Sequence, residues 1–186
     1  MPADSLDRDL GGGYLLRPVA PDEFEAVYAR REPELFSGQV YDWSDLPRVP
    51  QPEAQVMTFF LLRGGEFAGL HRARQRDAYT VNMSVTGLLP AHRGQGVYTR
   101  LLPPLLELYR AAGYTFVTSH HHPTNNAVLI PKLRAGFVIQ GMQMARAGLM
   151  VELLYSFDQN YRDYLERLCG HQAAATNETP QGEPHP

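Results

Sequence analysis

The chain has 186 residues, 44% of them hydrophobic and 20% charged, and a formal net charge of -3 at neutral pH. That is enough for one domain with a sizeable core. The slightly acidic balance gives no bulk electrostatic basis for binding nucleic acid or an anionic membrane. A single cysteine, Cys169, excludes an internal disulfide framework and fits a reducing compartment. The first residues lack a basic start followed by an apolar run, and no apolar run reaches the roughly 20 residues of a membrane span. The expectation is a cytoplasmic protein without signal peptide or membrane segment.

Residues 1–12 and 171–186 are polar or rich in Gly and Pro and read as disordered tails around a single domain over 13–170. Within it, residues 14–19 predict a strand and 21–30 a helix with Phe24, Val27 and Tyr28. Pro- and Asp-rich sequence follows to residue 52, with a short helix over 32–36. VMTFFLLR, a Gly64-Gly65 turn and EFAGLHRARQ predict a β-hairpin over 56–75. Residues 80–89 predict a strand that alternates Thr80, Asn82, Ser84 and Thr86 with Val81, Met83 and Val85. In the helix that follows, Val97, Leu101, Leu105, Leu108 and Tyr109 share a face. A kink or restart is expected at Pro103-Pro104, because each removes an N–H and disfavours helical angles just before it. A strand over 114–120 and a short helix over 126–134, stopped by Gly136, come next. Strands over 137–145 and 149–157 precede a last helix over 158–168, with Tyr161, Tyr164, Leu165 and Leu168 inward. The element order predicts an α/β sandwich on a mixed sheet.

Chemistry concentrates in PAHRGQGVYTRLL, residues 90–102. Gly94 and Gly96 flank Gln95, so the backbone turns sharply and leaves its N–H groups unobstructed by Cβ atoms. The first four N–H groups of the helix lack internal partners, and its dipole adds partial positive charge, which makes an anion site. Arg93 and the Thr99 hydroxyl add a charge and a donor. A P-loop needs four residues between its glycines and then Lys-Ser/Thr, which this stretch lacks; a dinucleotide fingerprint needs glycine where Thr99 stands. A strand-to-helix turn that holds no ligand is the other reading of the loop alone.

Read as Arg93-Gly94-Gln95-Gly96-Val97-Tyr98, the stretch resembles motif A of the GNAT superfamily of N-acetyltransferases, with Tyr98 in place of the motif's final small residue. TNNAVLIPKLRAGFVIQGM, residues 124–142, is similar to that family's motif B, with Asn125 eleven residues before Gly136. The resemblance implies an α/β (α+β) fold with a mixed, mainly antiparallel central sheet flanked by helices, and a splayed strand pair that holds acyl-CoA. It places the pantetheine arm between residues 84–89 and 117–120, with the Leu88 N–H, or its neighbour Leu89, toward the thioester oxygen. The N–H groups of Arg93, Gly94, Gln95, Gly96, Val97, Tyr98 and Thr99 would hold the pyrophosphate, and Asn125 the pantetheine or its phosphate. The implied activity is transfer of an acetyl group from acetyl-CoA to an amine by direct attack, without metal. The alternative is an acyl-CoA-binding or regulatory module of the same fold, and a nucleotide-binding protein is a third.

Family members commonly carry a proton-donating tyrosine four residues before the Gly-Phe glycine; here Lys132 stands there. Three readings stay open for it. It is a surface residue, with water or another side chain assisting the thiolate; it contacts phosphate or donates a proton itself; or it marks a binder of acyl-CoA with little transferase activity. The triplet His120-His121-His122 offers His120 as a water-linked base, against a polar strand end; no partner cysteine or carboxylate stands at zinc-ligand spacing. Tyr41, Asp42 and Trp43 fall where the family walls its acceptor site, although Trp43 equally suits a loop anchor, and Ser84 lies on the polar strand face. The acceptor is expected to be a small molecule or peptide amine, and the protein a monomer or homodimer.

Overall fold

The computed structural model describes residues 7–36, 54–145 and 148–168. Strands β1 (Arg8–Gly11) and β2 (Tyr14–Pro18) precede helix α1 (Pro21–Leu35), and the hairpin β3 (Val56–Arg63) and β4 (Glu66–Gln75) leads into β5 (Thr80–Leu88). A single 3-10 turn, Pro90–His92, joins β5 to α2 (Val97–Ala111). Then come β6 (Phe116–His121), α3 (Asn126–Arg134), β7 (Val138–Ala145), β8 (Gly148–Ser156) and α4 (Gln159–Leu168). One eight-stranded sheet runs β1-β2-β3-β4-β5-β6-β8-β7. Its pairs are antiparallel except β5 with β6.

The sheet is covered on both faces, which is why β3 reads as a continuous apolar run. Phe59 and Leu61 join a core with Leu101, Leu102, Leu105 and Tyr109 of α2, while Phe60 and Leu62 join one with Phe24 and Leu35 of α1. Where α1 ends against the sheet, backbone approaches backbone closely. A Cβ on Gly69 would sit 2.3 Å from the Gly87 carbonyl oxygen, and one on Gly87 would sit 2.8 Å from the Phe36 ring. Both positions require glycine for space rather than for a turn.

Four local expectations are corrected. Residues 8–11, placed in a tail, form β1, because Leu10 is buried in the core and Gly11, Gly12 and Gly13, all at positive φ, turn the chain back onto β2. Internal prolines break neither helix: α2 runs unbroken through Pro103 and Pro104, and α1 through Pro33 into the segment read as a separate short helix. Pro103 and Pro33 are exposed, so carbonyls left without donors can be hydrated while the opposite faces hold their buried contacts. In α4, Tyr164 and Leu168 are exposed rather than inward. No helix among the described residues is long and apolar enough to cross a membrane.

Gly69→Ala is expected to lower stability by ~1–3 kcal/mol through overpacking. Gly141→Ala, where an added Cβ meets nothing within 4 Å, is expected to leave the urea midpoint nearly unchanged. Equal midpoints for the two variants would show that the close approach at Gly69 is relieved at no cost.

Candidate active site

The site begins where one pairing stops. β5 and β6 pair in parallel only over Thr80–Asn82 against Phe116–Thr118, yet β5 continues to Leu88 and β6 to His121. Against β4, Arg72 faces Val85 and Ala73 faces Met83, so Ser84 is the extra residue of a bulge at the point of divergence. Bulges bend the strand that carries them, and this one coincides with β5 leaving β6. Beyond it the register is regular: the Leu89 N–H donates to the Ala68 carbonyl at 2.9 Å, and Leu88 faces Gly69. Antiparallel alternation then turns the N–H groups of Val85, Gly87 and Leu89 to β4, and those of Thr86 and Leu88 to the free edge.

That edge walls a cleft of about 700 Å³. Thr86, Gly87 and Leu88 form one side; Asn125, Ala127, Val128 and Pro131 at the start of α3 form the other. Gly94, Gly96, Val97, Tyr98 and Thr99 close one end, and Leu35 and Phe36 lie over the strand. Gly94 and Gly96 adopt φ of 70° and 69°, a conformation that side chains rarely adopt. Gly96 is the N-cap of α2 without any side-chain cap, so the leading N–H groups of α2 are presented to the cleft.

Several side chains expected to contact the cofactor are otherwise engaged. The Arg93 guanidinium donates to the Leu88 carbonyl at 3.0 Å and to the Glu34 and Leu35 carbonyls at 3.1 and 2.8 Å. It caps the C-terminus of α1 and clamps the loop to both elements. Its own N–H donates to the Pro90 carbonyl, so Arg93 positions the loop. Gln95 turns away: its amide donates to the Ala91 carbonyl at 2.7 Å and accepts from the Tyr14 hydroxyl at 3.1 Å. Leu89, with its N–H on β4, does not line the cleft, whereas Leu88 does. Asn125 is exposed at the N-terminus of α3 and makes no capping bond there.

An inner cavity of about 250 Å³ adjoins the cleft, lined by Met83, Ser84, His120, His121 and Lys132 among others. Phe36, Thr86, Tyr98, Asn125 and Val128 line both spaces. Burial of Tyr98 raises its hydroxyl pKa. His120 lies opposite Glu152 of β8, with Nε2 3.3 Å from Oε1, and Arg76 Nη1 reaches the same oxygen at 2.6 Å.

Lys132 is the largest departure from expectation. It is 0% exposed, not on the surface. Its Nζ donates to Ser119 Oγ at 2.5 Å, contacts Met83 Sδ at 3.3 Å and stands 4.7 Å from the centre of the Phe137 ring. Burial pushes its pKa well below the ordinary 10.5. The inner face of α3 carries Leu129 and Lys132, while Ile130 and Leu133 are 46% and 41% exposed. Apolar pattern alone would turn this helix the other way.

Three polar residues of the site were not anticipated. Ser119 is buried between Lys132 and His121, whose Nε2 lies 3.1 Å from its Oγ. Both share a face of β6 with buried Val117, so strand alternation counted from Val117 points to them rather than to His120 and His122. His71 is fully buried, with Nδ1 2.8 Å from Thr86 Oγ1 and Nε2 2.5 Å from the Tyr109 hydroxyl. Burial, and then the charge of Lys132, lower both His71 and His121 to about 3. Tyr41, Asp42 and Trp43 lie outside the described residues. His122 lines the larger cleft, and the described residues contain no group of three or more His, Cys, Asp or Glu side chains able to hold a metal.

The Acetyltransferase (GNAT) family model matches residues 17–137. The chain belongs to the GNAT acetyltransferase family. Its fold is shared with Ard1 from Thermoplasma volcanium, with TM-score 0.59 and 14% identity, covering 79% of this chain and 99% of that one. The aminoglycoside acetyltransferase AAC(6')-Ib in complex with coenzyme A gives TM-score 0.57 and 18% identity, covering 83% of this chain and 99% of that one. A GNAT family acetyltransferase from Elizabethkingia anophelis with acetyl-CoA bound gives 0.54 and 10%, covering 78% and 99%. No curated protein matches the sequence.

The neutral histidine under this GNAT site has a consequence for stability. His71 titrates at its ordinary 6.5 when unfolded and at about 3 when folded. Between those values the unfolded chain binds the extra proton, so stability falls as pH falls, by at most about 1.4 kcal/mol per pH unit for this group. Urea midpoints across that window are expected to drop more steeply in the parent protein than in His71→Phe. Parallel slopes would show that His71 is not held neutral.

Proposed function

We propose that this protein is an acetyl-CoA-dependent N-acetyltransferase that moves the acetyl group to an amine by direct attack on the thioester. The observation that carries this is the juxtaposition in one cleft of the edge of β5 that β6 leaves unpaired beyond Asn82, to which the Thr86 and Leu88 N–H groups turn, and the glycine turn at the head of α2. An extended amide-bearing arm can pair with that edge as an added strand, and a pyrophosphate suits the uncapped helix start. Gly96, Val97, Tyr98 and Thr99 supply backbone donors to the phosphates, and Asn125 offers its exposed amide between cleft and cavity. The Leu88 N–H meets the thioester oxygen, where a fixed donor stabilises the charge that grows during attack more than it stabilises the ground state.

The acceptor amine arrives as an ammonium and must lose a proton before it can attack. We assign that step to His120, held against Glu152 on the wall of the inner cavity. Ser84 at the bulge contacts the acceptor side, with its hydroxyl already oriented by the Arg72 carbonyl. Tyr41, Asp42 and Trp43 complete that side in this reading. A small-molecule amine is the favoured acceptor class; the aminoglycoside acetyltransferase is a neighbour in fold at 18% identity.

Incubation with acetyl-CoA and a panel of amines, following thiol release, is expected to show acceptor-dependent turnover. Acetyl-CoA that raises the melting temperature without any acceptor-dependent release would contradict transfer and favour a binding module. For the loop, Gly96→Val is expected to weaken coenzyme A binding by at least about tenfold, since a β-branched side chain cannot hold the left-handed angle without strain. Gly64→Val, at φ 58° in a hairpin with open space around it, is the matched control and is expected to bind normally. Equal affinity in both would place the phosphates elsewhere.

A further inference from the structure

Lys132 is the only lysine in a chain with 17 lysines and arginines. A buried ammonium needs an anion or a full set of acceptors, and among the described residues the partners of Nζ are a hydroxyl, a thioether and a ring face. The groups that surround it leave little room for a second positive charge. His71 of β4 and His121 of β6 are pushed toward their neutral forms first by burial, and a charged Lys132 would add to that push. His120 of β6 belongs to the same cavity, and Tyr98 and Tyr109 of α2 have their hydroxyls raised by burial. Lys132 lines the inner cavity with Thr86, Asn125 and Val128, three residues that also line the coenzyme A cleft. Lys132 therefore borders the cavity that adjoins the cleft, on whose shared wall nitrogen and sulfur would exchange the acetyl group.

Under the transferase reading, on which this inference rests, the acceptor loses two protons. The first leaves before attack; the second becomes acidic only when the nitrogen bonds to the carbonyl carbon. We propose that Lys132 is the carrier of the second proton. Its Nζ takes the proton from the attacking nitrogen as the C–N bond forms and gives it to the sulfur as the C–S bond breaks. The products are the amide and the neutral thiol, and Lys132 is returned unchanged. Burial serves both halves: it keeps a lone pair available to accept, and makes the transient ammonium a stronger acid than an ordinary lysine of pKa about 10.4. Ser119 positions Nζ through the 2.5 Å hydrogen bond.

Lysine labelled with 15N gives one side-chain signal in this protein, because there is one lysine. The folded protein is expected to show the free amine at neutral pH; an ammonium signal persisting to about pH 10 overturns the proposal independently of activity. In turnover assays, Lys132→Met and Lys132→Arg are both expected to lose on the order of 100-fold in kcat, with the acetyl-CoA Kd changed less than about threefold. Arginine keeps a charge but cannot release a proton, so a role in charge or packing alone predicts that it substitutes well. Near-normal kcat in either folded variant overturns the proposal. So does acetylation of Lys132 by acetyl-CoA alone, read by mass, because the amine would then be a nucleophile. If the parent protein releases thiol with no amine in the panel, the transferase reading has failed and this inference falls with it.

Discussion

Parallel pairing between β5 and β6 lasts three residues, and the cleft exists because it stops there. Had the ladder continued, the N–H groups of Thr86 and Leu88 would be satisfied by β6, and no edge would face a ligand. An interior strand edge left open costs free energy unless something else meets its donors and acceptors. Here the Leu88 carbonyl is met by Arg93, and the same residue lines the cleft. The same arginine caps the last carbonyls of α1, so strand edge, loop and helix end are held by one guanidinium. That is why the glycine turn sits at the end of the wedge and not merely near it.

Beneath the wedge lies a second constraint. Lys132, His71 and His121 are basic groups packed together with hydroxyl partners, and burial holds each toward its neutral form. Low local polarity makes repulsion among charged forms strong. A cluster of this kind is expensive as structure alone, since apolar residues would fill the space without a pH penalty. Under the proposed transferase reaction, its place against the inner cavity would link the cost to proton movement.

What was legible in the sequence follows the range of each interaction. Gly94 and Gly96 were readable because positive φ is a local demand, and the spacing from Asn125 to Phe137 carried the family. The β3–β4 hairpin and the span Asn126–Arg134 were readable from turn residues and period. Arg93 was not, because its partners Glu34 and Leu35 lie 58 or more residues away and compete with any phosphate for its donors. Of the three readings of Lys132, only the surface one is excluded; a lysine among Val128, Leu129, Ile130 and Leu133 belongs outside by pattern, and only tertiary packing turns it in. Among the three histidines, parity decided: Val117 fixes which face of β6 is inward, and that face carries Ser119 and His121. Pro103 in α2 was overweighted because its exposure, which makes it tolerable, is not a sequence property.

The central claim is that acetyl-CoA lies along the free edge of β5 with its phosphates on the head of α2. Backbone amide NMR during titration with acetyl-CoA tests it directly. The predicted result is that the largest shifts fall on the amides of Thr86, Leu88 and Gly96 to Thr99, with Leu89, paired to Ala68, little changed. Shifts confined to another surface, such as the shallow cleft of Arg76, Gln140 and Tyr161, with those amides unmoved, would contradict it.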